Sequence, residues 1–131
     1  MTPIKQTDRV DLMFRAFAER TRLRILYLLR DGEMCVADLV AVLRLEQPSV
    51  SRHLAYLRKA RLVAVRKDGL WKYYSLATAS TSFRQKLLEC LACCFQEVPE
   101  IQKDQARARK VRAQGDCPDS VKVGLRNAAG T

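Results

Sequence analysis

Glu46-Gln-Pro-Ser-Val-Ser-Arg-His-Leu-Ala-Tyr-Leu-Arg-Lys59 is the stretch whose reading decides the fold. Pro48 suits a first helical turn, where its missing N–H is not needed. Val50, Leu54 and Leu57 then recur at i, i+4 and i+7 and make one apolar stripe. Ser49, Arg52, His53 and Tyr56 fall on a different face, which carries hydrogen-bonding groups and no carboxylate. A helix that buries one side and offers Ser, Arg, His and Tyr on the other has the chemistry to enter a DNA major groove. An amphipathic surface helix with a solvated polar side is the plainer alternative, and the flanking segments weigh between the two.

Just upstream, residues 35–43 read as a helix with Val36, Leu39, Val40 and Leu43 as its buried stripe, and Arg44 to Gln47 make a brief turn. Two short helices so joined form a helix-turn-helix. Just downstream the apolar period changes to near two over residues 62–67 and 70–76, with Asp68-Gly69 between them as a two-residue hairpin signal. Arg66, Lys67 and Lys72 lie near the hairpin tip, placed to touch phosphates or the minor groove; a structural ribbon with solvated lysines is the alternative. Helices are also predicted over residues 8–17 and 19–30, the second apolar over a wide arc and ended by Asp31-Gly32. A last helix is predicted over 82–98, with Phe83, Leu87, Leu91, Cys94 and Val98 on its stripe and Pro99 stopping or kinking it. The expected class is mainly α (α+β): a winged helix-turn-helix with a two-stranded β-wing. It would occupy residues 1–104, and residues 105–131 read as a frayed helix leading into a basic, flexible tail.

The chain has 131 residues and a net charge of +10, which bounds it to one domain with a taste for polyanions. Residues 44–72 hold eight Arg or Lys against two acids, so more than half of that excess sits around the helix-turn-helix and hairpin. A membrane partner is not expected, because no run of eighteen apolar residues and no long basic helix with bulky aromatics is present. The polar N-terminus lacks an apolar signal core, which predicts a cytoplasmic protein. Catalysis is not expected either. No Gly-rich phosphate loop or paired carboxylates occur, and Cys35 and His53 both fall on helix-turn-helix elements.

The order helix, helix, helix-turn-helix, hairpin, helix resembles the arsenic-repressor family of small winged-helix transcriptional regulators, the ArsR/SmtB family. The resemblance covers roughly residues 8–97. It is carried by Arg20-Thr-Arg-Leu-Arg-Ile-Leu26, Gly32-Glu-Met-Cys-Val-Ala-Asp-Leu39, Gln47-Pro-Ser-Val-Ser-Arg-His-Leu54 and Gly69-Leu-Trp-Lys-Tyr-Tyr-Ser-Leu76. It implies a cytoplasmic homodimer, joined through its first and last helices, that binds double-stranded DNA at an inverted-repeat operator, represses transcription and lets go when an inducer binds. Its recognition helices would sit about 34–36 Å apart. By the same resemblance Gln47 and Ser51 join Ser49, Arg52 and His53 as base- and phosphate-contacting residues.

The five cysteines, Cys35, Cys90, Cys93, Cys94 and Cys117, are an odd count and argue against a disulfide framework. His53 is the only histidine, so the His and carboxylate site of the family's zinc sensors has no counterpart in the last helix. The family's arsenical sensors carry Cys-Val-Cys at the start of the third helix; the matching residues are Cys35-Val36-Ala37, one thiol short. Cys90, Cys93 and Cys94 stand at i, i+3 and i+4 and share a helix face, with Cβ atoms about 5–6 Å apart. That is too wide for an unstrained disulfide, which wants about 3.8 Å, and it suits a soft ion binding sulfur at about 2.3 Å. Trivalent arsenic or antimony, As(III) or Sb(III), takes three thiolates in a pyramid and is the expected inducer, with Cys35 as a further possible ligand and no organic cofactor. Core packing is the alternative for Cys94, and Cys117 is a bystander thiol in the tail. Two other sensing chemistries remain open: a persulfide or redox sensor that joins Cys35 to Cys93, and a cadmium- or lead-type sensor. A DNA-binding protein that senses nothing is the last alternative.

Overall fold

The computed structural model describes residues 2–78 and 81–114; the side chains of residues 2–9, Ala92, Cys94 and Gln114 lie outside the described residues. The elements are α1 (Thr2–Phe17), α2 (Arg20–Leu29), β1 (Met34–Cys35), α3 (Val36–Leu43), α4 (Gln47–Lys59), β2 (Val63–Asp68), β3 (Trp71–Leu76), α5 (Ser82–Cys94) and α6 (Pro99–Gln114). Helix α2 is central because its wide apolar arc meets neighbours all round. Ile25, Leu26, Leu28 and Leu29 are buried in one core with Leu39 and Leu43 of α3, Val50, Leu54 and Leu57 of α4, and Leu91 of α5. The N-terminus of α2 is capped by Glu19, whose carboxylate accepts from the Arg22 backbone N–H at 2.9 Å.

Helix α3 ends on Arg44 in a left-handed conformation (φ 58°), which turns the chain sharply into α4. Pro48 sits in the first turn of α4, as its fixed φ favours. The Val50, Leu54 and Leu57 stripe is fully buried, so the helix-turn-helix forms as the periodicity requires.

The hairpin is present, with Val63 to Asp68 paired antiparallel to Trp71 to Leu76. Its register pairs Asp68 with Trp71, so the loop is Gly69-Leu70, one residue later than the Asp-Gly signal suggests. Gly69 takes φ 65° while Leu70 keeps negative φ, the pattern of a type II′ turn with Gly first. A third strand joins the two-stranded wing: Met34 and Cys35 pair with Tyr74 and Tyr73, giving the sheet order β1-β3-β2. Cys35 is therefore a strand residue and the N-cap of α3 rather than its first turn.

The larger difference lies at the C-terminal end. Helix α5 stops at Cys94, and Pro99 starts a new helix in place of ending the old one. Helix α6 runs through residue 104, where the sequence suggested a domain edge, and buries Ile101, Asp104 and Ala108. Residues 115–131, which include Cys117 and most of the expected tail, lie outside the described residues. Among the described residues no helix is long and apolar enough to cross a membrane.

Candidate nucleic-acid interface and thiol site

Helix α4 has two polar flanks. Toward the wing, Gln47, Ser51 and Arg58 line a cleft of about 490 Å³ whose far wall is Leu70, Trp71 and Lys72. Gln47, Ser51 and Arg58 are exposed, and Arg52 stands on the outer ridge beside them. Arg58 was missed by the sequence reading; its i+11 spacing from Gln47 places it on that same flank and was the available signal.

Toward α2, the other flank is partly covered. Ser49, His53 and Tyr56 are half-buried. The Arg22 guanidinium stacks on the Tyr56 ring at 4.2 Å and donates to the carbonyls of Arg15 and Ala16 at the end of α1. Tyr56 thus braces α1 and α2 against α4. His53 retains 22% side-chain exposure, and its Nδ1 lies 3.7 Å from the Glu19 carboxylate. The predicted Ser/Arg/His/Tyr face is divided: Arg52 looks outward, Ser49 is half-buried, and His53 and Tyr56 sit at the seam with α2.

Burial pushes the His53 imidazole below its ordinary value of 6.5; Glu19 pulls it up, and Arg22 and Arg52 push it down. Above that ordinary value His53 is neutral in both folded and unfolded chains. As pH falls below it, the unfolded chain binds the proton first, so stability declines until the folded-state value is passed. His53→Gln is expected to flatten this part of the stability–pH curve as pH falls below about 6.5. Urea midpoints read it, and equal slopes in variant and parent would clear His53 of the effect.

On the wing, Lys67 and Lys72 are exposed and directly opposite each other. Like charges so placed repel, and a polyanion laid across both relieves the repulsion. Arg66 is held otherwise. It forks onto Glu33 at 2.6 and 3.3 Å and stacks on Tyr73 at 4.2 Å, so it ties the wing to the turn before β1. Leu70 at the tip is 98% exposed.

The thiols are spread over two regions. Cys90 and Cys93 are exposed thiols one turn apart on α5. Cys94 ends the same helix, and its side chain lies outside the described residues. Among the described residues no three His, Cys, Asp or Glu side chains gather to hold a metal ion. The donor set that α5 does present, sulfur without imidazole, fits a thiophilic ion and not a hard one. Cys35 is 1% exposed, packs with Tyr73 and is disulfide-bonded. Cys93, its expected partner in the two-thiol reading, is a free thiol, so those two are not bonded to each other.

Helices α1 and α5 share an apolar outer patch. Phe14, 53% exposed, meets Phe83 with ring centroids 5.5 Å apart, and Val10 extends the patch.

The family described as "Bacterial regulatory protein, arsR family" matches residues 19–65, from the cap of α2 into β2. The arsenical resistance operon repressor of Escherichia coli is 38% identical over 112 residues, covering 85% of this chain and 92% of that protein. Reduced HlyU from Vibrio cholerae superposes with a TM-score of 0.58 at 32% identity, covering 71% of this chain and 97% of that one. NolR from Sinorhizobium fredii gives 0.57 at 32% identity, with coverages of 70% and 88%. The chain belongs to the arsR family of bacterial regulatory proteins, winged-helix regulators of transcription that bind DNA and are not enzymes.

Proposed function

We propose that this chain is a cytoplasmic homodimeric repressor that grips an inverted-repeat operator and releases it when As(III) or Sb(III) takes the thiolates of Cys90, Cys93 and Cys94. The observation that carries the reading is the pair of exposed thiols one turn apart on α5, in a fold whose α4 and wing offer Gln47, Ser51, Arg52, Lys67 and Lys72 outward. The likeness to the arsenical resistance operon repressor supports the choice of inducer. The Phe14–Phe83 patch supports a dimer joined through α1 and α5, the helix expected from sequence to be the last. Ser49 and His53 contribute at the seam of the interface, where their exposed edges face a phosphate.

Operator binding followed by fluorescence anisotropy, with arsenite and antimonite added, tests the reading. The parent chain is expected to lose about 5–150-fold in operator affinity, the usual span of allosteric coupling. Cys90→Ser, Cys93→Ser and Cys94→Ser should each abolish that loss, and Cys35→Ser should keep it. Unaltered affinity of the parent under excess of both ions ends the proposal. Release by cadmium or lead alone would keep the thiol site and change its ion.

A redox reading of the same fold is favoured by one observation, the buried disulfide at Cys35. Disulfides in reducing compartments tend to be regulatory. If persulfide or an oxidant releases the operator and Cys35→Ser alone abolishes that release, the switch is at Cys35 and the α5 thiols are secondary.

A further inference from the structure

Helix α6 is anchored by charge as well as by its few apolar residues, Ile101 and Ala108. Asp104, 1% exposed, accepts from Arg24 Nε at 2.7 Å and Nη2 at 2.9 Å, and from Arg107 Nη2 at 2.8 Å. Both guanidiniums then reach the end of α3. Arg24 Nη2 donates to the Leu43 carbonyl at 3.1 Å, and Arg107 Nε donates to the Val42 carbonyl at 2.7 Å. These are the last two carbonyls of α3, which have no partner inside the helix. One buried carboxylate on α6 thereby sets the two cations that cap α3 where it turns into α4. Next to it, Arg44 holds its left-handed φ of 58°, so the turn has little slack.

The same helix begins five residues after the last thiol. Cys94 ends α5, residues 95–98 form a tight turn with Val98 N–H on the Phe95 carbonyl at 3.1 Å, and Pro99 starts α6. Glu100, in the first turn of α6, lies 3.7 Å from Arg20 and 3.9 Å from Arg24. A ligand that draws together sulfurs standing about 5–6 Å apart at their Cβ atoms tightens the last turn of α5. That shifts the point from which α6 departs.

We infer that Asp104 is a positioning residue for operator binding, which through Arg24 and Arg107 fixes the α3–α4 turn, and that α6 is the element carrying the state of the α5 thiols to it. The second half rests on the thiol-inducer reading above; the first half does not. Charged groups buried in this way are geometrically exacting, because the Arg24 fork accepts one arrangement of the carboxylate and Arg107 adds a third bond to it.

The test uses the full chain with Arg107→Gln, Arg107→Lys and Asp104→Asn. Operator affinity is measured with and without arsenite, and arsenite binding is followed separately by thiolate–arsenic absorption in the ultraviolet. Arg107→Gln removes the bond to the Val42 carbonyl and leaves the Arg24–Asp104 fork in place. It is expected to stay folded, to bind arsenite as the parent does, and to show an arsenite effect on operator affinity within about twofold of none, against the 5–150-fold usual for coupled sites. Arg107→Lys, which keeps one donor, should restore part of it. Asp104→Asn should do the same as Arg107→Gln or more; if it fails to fold, Arg107→Gln decides. Full arsenite effects in Arg107→Gln and in folded Asp104→Asn overturn the inference. If the parent itself ignores arsenite, the inducer reading falls and takes the thiol half with it. The positioning half then stands on operator affinity without inducer: a severalfold loss in folded Arg107→Gln upholds it, and equal affinity overturns it.

Discussion

Replacing Asp104 by alanine is expected to cost about 3–5 kcal/mol of folding free energy, the usual penalty for removing one partner of a buried ion pair. Asp104 is almost fully enclosed, and it receives three guanidinium N–H bonds from two arginines on different elements. The alanine variant leaves Arg24 buried with a cation and no carboxylate at bonding distance, since Glu100 is 3.9 Å from its Nη1 and much more exposed. The hydrogen bond that Arg24 donates to Asp104 is what chiefly raises its pKa, and even without that partner a guanidinium does not escape by losing its proton. A control separates the stranded charge from lost packing. Arg24→Met together with Asp104→Leu removes both charges and is expected to recover most of the loss, because apolar replacements of a buried pair are often neutral or better. Urea unfolding of the two variants measures both. A loss below about 1 kcal/mol in Asp104→Ala would mean that α6 does not hold the fold as described.

Leu54→Ala comes next in size, at about 2–5 kcal/mol. Leu54 is fully enclosed on α4, between Val50 and Leu57 on the same buried stripe. For a chain of this length that corresponds to a melting temperature lower by on the order of 10 °C. Operator binding should weaken with it even at temperatures where the variant is folded, because this stripe sets the tilt at which Gln47, Ser51 and Arg52 face outward. Leu70→Ser is the contrasting substitution. Leu70 is an equally apolar residue but stands open at the wing tip, so its melting temperature should stay within about 2 °C of the parent. Calorimetry of both variants checks the contrast, and a small shift in Leu54→Ala would show that α4 is seated by something other than its stripe.

The helix-turn-helix and the hairpin were legible because their signals are periodic and punctuated. Pro48 opens α4, the i, i+4, i+7 stripe fixes its buried side, and a Gly beside alternating strands marks the wing. Two features escaped for physical reasons. Strand β1 has only Met34 and Cys35, too short to show a period of two, and it forms because Tyr73 and Tyr74 offer it an edge. Helix α6 escaped because its anchor is a carboxylate. In Pro99–Gln114 the apolar residues are sparse and the charges dense, which along a sequence reads as a solvated segment. Nothing in the residues near Asp104 announces that Arg24, eighty positions away, will enclose it. The candidate interface was half legible. Arg52 was found on the outward ridge by the helical wheel, whereas the wheel gave no reason to prefer Gln47 and Ser51 over Ser49, His53 and Tyr56. What separates those two flanks is where α2 and the wing sit, and a single helix does not encode that.

The eighty-residue span between Arg24 and Asp104 also bears on the protein's synthesis. A ribosome delivers both helices of the DNA-reading unit, and the wing, before it has made the segment that clasps them. While translation is under way the nascent chain carries an unclasped turn and an Arg24 without its carboxylate. On the positioning role inferred for Asp104, competence for tight operator binding arrives only with α6, and chains that stop short of it would compete poorly with finished molecules.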